Sequence, residues 1–123
     1  MTAIIGGGGK STLLHALADE LSKHARVVVA TSTKMYVPDW CCVLLSAEPG
    51  DVESALKTNP LVCVGSIHEP TGKLDAPHMA FSDLADIADY VLVEADGAKK
   101  LPLKAHAEHE PVIPACTDRV VYV

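Results

Sequence analysis

Short apolar runs rich in branched residues recur along the chain: TAII (2–5), RVVVAT (26–31), CCVLLS (41–46), LVCVGSI (61–67), YVLVEA (90–95) and RVVYV (119–123). Their length and β-branched content predict buried strands. Between some of them the apolar spacing becomes helical. Over 10–24, Leu13, Leu14, Leu17, Ala18 and Leu21 fall on one face, with Asp19, Glu20 and Lys23 elsewhere. Further helices are predicted at 50–58 and 79–88. Strands alternating with helices predict an α/β domain. Two stretches read as irregular: HEPTGKLDAP (68–77), with two prolines and a glycine, and KKLPLKAHAEHEPVIP (99–114), with three prolines and clustered charge. Loops of that length in a compact domain are more often functional than idle. The run at 119–123 reads as a strand with no turn or helix after it. A sheet can finish there, or the chain can be the front part of something longer.

The totals narrow this picture. A chain of 123 residues is one domain by length. With a single Trp and a single Phe the core must be aliphatic, which suits a buried parallel sheet flanked by helices. A formal net charge of −6 denies the surface the broad positive field of nonspecific DNA or RNA binding, so nucleic acid is not expected as a partner. No apolar run approaches the roughly 20 residues that span a bilayer, so no membrane partner is expected. The amino-terminal apolar stub is cut by Gly6 to Gly9 and Lys10, which does not suit a secretory signal. A cytoplasmic location is the expectation. Cys41, Cys42, Cys63 and Cys116 contain no CxxC pair and are expected as thiols, buried as small hydrophobes, with capture of a metal or selenium by Cys41 and Cys42 the alternative.

The chemistry is concentrated in IIGGGGKSTLL (4–14), which joins a predicted strand to a predicted helix. Glycines let a backbone curl until several N–H groups point inward, the helix start adds partial positive charge, and a lysine neutralises the outer phosphates. A following hydroxyl can ligate Mg²⁺. The residues in these roles are Gly6, Gly7, Gly8, Gly9, Lys10, Ser11 and Thr12. The usual G-x-x-x-x-G-K-[ST] spacing is not met, because Ile4 stands where its first glycine belongs. What stands here is the shorter G-x-x-G-K-S-T, which resembles the ATP loop of amide-forming ligases of cell-wall and folate metabolism. The competing reading is a flexible turn with a solvated lysine.

A phosphate loop needs an acidic partner on a neighbouring strand. YVLV leads into Glu94 and Asp96, which share one face if strand geometry continues that far. An acid at the end of a buried strand can hold a magnesium shell or orient an attacking water, and Glu94 is the safer choice because Asp96-Gly97 also suits a turn. The segment TSTKMYVP (31–38) follows the second predicted strand, and in an open parallel sheet ligands gather at the carboxyl ends of strands. Thr31, Thr33 and Lys34 are therefore candidates to face the same phosphates, against the alternative of an ordinary hydroxyl-rich turn. The cluster His106, Glu108, His109 and Glu110 has ligand types that zinc uses, but flanking prolines favour a solvated, charged loop.

Taken together, GGGGKSTLLHALA, TSTKMYVP, TGKL and VLVEADGAKKLPLKAHAEHEPVIPACTDRVVYV resemble the YqeC-type proteins, described as selenium cofactor biosynthesis proteins or accessory proteins of selenium-dependent molybdenum hydroxylases. The resemblance implies a P-loop NTPase-like fold, a three-layer sandwich with a mostly parallel sheet, and ATP or GTP with Mg²⁺ as cofactors. It implies nucleotide binding by Gly8, Gly9, Lys10, Ser11 and Thr12, with an active-site role for Thr33, Lys34, Glu94, Asp96, Gly97 and Lys104. Ser11 and Glu94 are the candidate metal ligands. The implied task is maturation of a molybdenum hydroxylase, with that enzyme or its cofactor as partner. His106 departs from the proline expected in the LKAP run of the family, and family members usually continue past Val123. The expected function is a P-loop ATPase or nucleotide-dependent transferase. The alternatives are a nucleotide-gated insertion factor without bond chemistry and an inactive truncated remnant.

Overall fold

The computed structural model describes residues 1–96 and 111–123. Among them the elements run β1 (Thr2–Ile5), α1 (Lys10–Ser22), β2 (Val27–Thr31), β3 (Lys34–Met35), β4 (Cys42–Leu45), α2 (Pro49–Leu56), β5 (Leu61–His68), β6 (Lys73–Asp75), α3 (Phe81–Ile87), β7 (Tyr90–Glu94) and β8 (Arg119–Tyr122). All six expected strands and all three expected helices are present, with ends shifted by a few residues, but β4 and β8 contain no buried residue and so are not the buried strands expected there. The sheet order is β3-β6-β5-β2-β7-β1-β8, with β4 also pairing β5. The pairs β1/β7, β1/β8, β2/β5, β2/β7 and β4/β5 are parallel, while β3/β6 and β5/β6 are antiparallel. The sheet is therefore mixed and mostly parallel.

Alternation along the central strands explains the layers. Val28, Ala30, Val62, Val64, Val91 and Val93 pack with Val52 and Leu56 of α2 and Leu84 of α3. Their neighbours Val27, Val29, Cys63 and Leu92, with Ile4, pack with Leu14 and Ala18 of α1. Helices thus cover both faces, and β2, with all five residues buried, is apolar up to its last residue, Thr31, because neither face meets water. The predicted α1 face is the one used: Leu14 and Ala18 are fully buried, and Leu13, Leu17 and Leu21 pack around them.

The stretch 68–77 is not irregular. The amides of Thr71 and Gly72 both donate to the carbonyl of His68, turning the chain so that β6 runs back along the end of β5. A strand of three residues leaves no periodicity to read, and the prolines lie outside it. The same applies to β3, whose two residues pair with β6. Of the cysteines, Cys63 is buried as expected, Cys41 is half-buried against the same core, and Cys42 is exposed. The neighbouring Cys41 thiol, together with burial, pushes the Cys63 thiol up.

The β5–β6 contact leaves no room for a side chain at Gly65. A Cβ there would meet Leu74 Cγ at 2.6 Å and the backbone oxygen of Asp75 at 2.8 Å. A Gly65→Ala variant is expected to lose about 1–3 kcal/mol, read as a lower urea midpoint with an unchanged slope, because the backbone must move. An unchanged midpoint would show that the hairpin is looser than its packing implies.

Candidate functional site

The parallel strands bring their carboxyl ends to one edge, and the glycine loop leaves the sheet there. β7 lies between β1 and β2, with Ile4 and Thr31 both in register with Glu94. The loop after β1, the turn after β2 and the acid ending β7 therefore converge on one place. Only long-range pairing does this, since Lys10 and Glu94 are far apart in sequence.

The loop is folded tightly. Gly6 has φ 125°, a conformation closed to side chains, and a Cβ there would lie 2.2 Å from the Val123 carbonyl oxygen. Gly9, with φ 87°, is the N-cap of α1, which opens with no side-chain cap and no acid in its first turn. Among the described residues no N-cap side chain satisfies the first-turn amides, which lie at the positive end of the helix dipole.

Lys10 is 2% exposed although it begins a helix. Its Nζ donates to the carbonyls of Gly6 at 2.8 Å and Gly7 at 3.0 Å, and lies 3.0 Å from Asp96 Oδ1. The other oxygen of the fully buried Asp96 accepts from the Gly6 amide at 3.0 Å. Asp96 therefore holds both the first glycine of the loop and its lysine. Ser11 Oγ donates to Glu94 Oε2 at 3.2 Å. Glu94 is 6% exposed, and burial pushes its carboxyl above the usual carboxylate range despite the opposing pull of Lys10 and Ser11. Asp96 adds to the upward push.

These groups border a cleft of about 200 Å³ lined by Gly7, Gly8, Gly9, Lys10, Ser11, Thr12, Met35, Tyr36, Lys73 and Glu94. Gly6 sits behind the loop and Asp96 behind Lys10. The turn after β2 has another use. Thr31 Oγ1 donates to the Glu94 carbonyl at 2.9 Å and accepts from the Thr33 amide at 3.1 Å, while the Ser32 amide donates to the same Glu94 carbonyl. Thr31 and Thr33 thus fix the end of β7. Lys34 is turned to Asp75 at 3.6 Å and is 44% exposed, so it does not join Lys10 in the cleft. The second lysine there is Lys73, which the sequence offered only within TGKL; the signal needed was the hairpin that folds β6 back toward α1. Gly97, Lys104, His106, Glu108, His109 and Glu110 lie outside the described residues. Among the described residues no group of three or more His, Cys, Asp and Glu gathers as a metal cluster, and no helix is long and apolar enough to cross a membrane.

Fold and site together define an α/β protein with a glycine loop, a buried lysine and two buried carboxylates at the carboxyl edge of a mostly parallel sheet. The family described as YqeC protein matches residues 2–123, and the chain belongs to that family. It is similar to the uncharacterized protein YqeC of Escherichia coli strain K12, with 35% identity over 128 residues that cover 98% of this chain and 50% of the relative. The chain thus spans half the length of that curated relative. No solved structure matches it.

Proposed function

We propose that this chain binds a nucleoside triphosphate, ATP or GTP, with Mg²⁺, as a P-loop ATPase or nucleotide-dependent transferase. The observation that carries the reading is the convergence of an uncapped glycine loop, Lys10 and the Ser11–Glu94 pair on one cleft. The loop amides and Thr12 would cradle the phosphates, and Lys10 would exchange its contacts with Gly6, Gly7 and Asp96 for the outer phosphates. Ser11 and Glu94 are hard oxygen donors, and two protein ligands are what magnesium takes when phosphates and waters supply the rest. When bound, the ion would neutralise charge on the phosphates. Asp96 keeps the loop closed through Gly6 and holds Lys10 in reach. Glu94, buried and ending the central strand, is the group to hold the magnesium shell or orient a nucleophile.

The resemblance to selenium-dependent hydroxylase accessory proteins supports a setting in the maturation of such a molybdenum enzyme, with that enzyme or its cofactor as partner and the cytoplasm as location. A second reading, nucleotide-gated insertion without bond chemistry, is favoured by one contact set. Val112 donates to the Ala95 carbonyl at 2.8 Å and its own carbonyl accepts from Ser32 Oγ, tying the exposed Val112 and Ile113 to the back of the site. Calorimetry with ATP and with GTP should show saturable binding that strengthens on adding Mg²⁺. Absence of binding by both nucleotides ends the proposal, and binding without phosphate release, alone or with a hydroxylase, selects the second reading.

A further inference from the structure

A second cleft, of about 310 Å³, adjoins the first and shares Ser11, Met35 and Tyr36 with it. Its remaining wall is Val37, Pro38, Asp39 and Trp40, and Leu14 closes its base. Aromatic residues are scarce in this chain, only 4%, yet the single Trp and one of three Tyr both border this cleft. Tyr36 is 68% exposed, more than any other large hydrophobic side chain among the described residues. Trp40 is held from behind the segment by His15 of α1, their rings stacked 4.3 Å apart and 14° from parallel. The fold thus fixes one ring, Trp40, against the core that contains Leu14, and presents the other, Tyr36, to solvent.

Charge is placed to match. Lys73 Nζ lies 4.9 Å from the centre of the Tyr36 ring and lines the first cleft, so a cation stands at the junction of the two. Asp39 offers a carboxylate acceptor within the second cleft. Flat apolar surface, an acceptor for a ring N–H and a cation toward the phosphates together describe a planar heteroaromatic ligand with an anionic substituent. The cleft opens beside Ser11, the hydroxyl that faces Glu94, rather than beside Gly7 to Gly9. A molecule there would lie on the metal side of the phosphates, where a second substrate meets them.

We propose that the cleft bordered by Tyr36, Trp40 and Asp39 is a second-ligand subsite, which takes a planar heteroaromatic molecule whose anionic group pairs with Lys73. The word second rests on the nucleotide reading of the first cleft; the ring site itself does not. Flavin mononucleotide is a suitable probe, because it combines a flat ring bearing an N–H with a phosphate, and riboflavin is its uncharged counterpart. Titrations followed by flavin fluorescence anisotropy are run with and without saturating Mg²⁺ and a nonhydrolysable ATP analogue. The expected result is saturable binding of flavin mononucleotide that persists with the analogue present. Tyr36→Ala should weaken it about 5-fold, and Lys73→Met should bring it down to the affinity of riboflavin. Both side chains are partly or largely exposed, so both variants should keep the wild-type thermal midpoint.

Loss of flavin binding on adding the analogue would put the probe's phosphate in the glycine loop and overturn the proposal. So would equal binding by wild type and Tyr36→Ala, or no binding up to about 1 mM. Flavin binding with the stated dependence on Tyr36 and Lys73, in a protein that takes no nucleotide, would uphold the ring site and fell the nucleotide reading alone.

Discussion

A Lys10→Ala variant is expected to lose nucleotide affinity by about 100-fold or more, equivalent to about 3 kcal/mol, measured by calorimetry with Mg²⁺ present. The size follows from burial. Lys10 is 2% exposed, so its charge would act on bound phosphates with little screening from water. The substitution has a second effect, because Asp96 is fully buried and lies 3.0 Å from the lysine nitrogen. Removing Lys10 takes away the cation 3.0 Å from that buried carboxylate, which destabilises the ligand-free fold. Adding Asp96→Asn to Lys10→Ala removes that charge and should restore much of the stability while leaving binding lost. The pair of variants separates the two effects: a double variant that regains affinity together with stability would show that Lys10 serves the fold and not the ligand.

Glu94→Gln is the other large expectation, and its two effects have opposite signs. Nucleotide turnover should fall by about 100-fold or more, since a neutral amide neither neutralises a magnesium ion nor accepts a proton. Stability of the ligand-free protein should rise at neutral pH, by on the order of 1 kcal/mol. Burial raises the Glu94 carboxyl above its ordinary range, so the folded state holds that proton more tightly than the unfolded chain. A group shifted upward contributes stability below its unfolded pKa and loses it as pH climbs through the folded value. Wild type and Glu94→Gln should therefore unfold alike in acid, and the variant should gain as pH rises past the usual carboxylate range. Urea midpoints measured across that interval test the claim. A variant less stable than wild type at neutral pH would mean that Ser11 and Lys10 more than offset the cost of burying the carboxylate.

Those two effects together would mark a site whose groups are held ready at some cost to the fold, a pattern common where a buried acid has a task beyond packing. Lys10 and Asp96 satisfy each other in the absence of ligand. Among the described residues the Glu94 carboxylate accepts from Ser11, with Lys10 acting at longer range. A cation arriving beside Ser11 would relieve the carboxylate it meets.

Much of this was legible in the chain itself. Apolar runs of branched residues, the helical spacing of Leu13, Leu14, Leu17, Ala18 and Leu21, and the strand–glycine–lysine junction are local patterns, and local patterns follow from backbone geometry that any short segment carries with it. They determined the α/β class, the helix that bears Lys10 and Ser11, and the choice of Glu94 as the acid across from the loop. Tertiary structure alone decided the rest, because the remaining assignments depend on which strands become neighbours. Pairing of β7 between β1 and β2 put Glu94 against Ser11 and Asp96 against Lys10. Folding of β6 along β5 drew Lys34 away to Asp75 and delivered Lys73 to the cleft instead. Stacking of His15 on Trp40 built an aromatic wall from residues that share no pattern in sequence. Side chains brought together by sheet order obey distances in space, and no spacing along the chain encodes those.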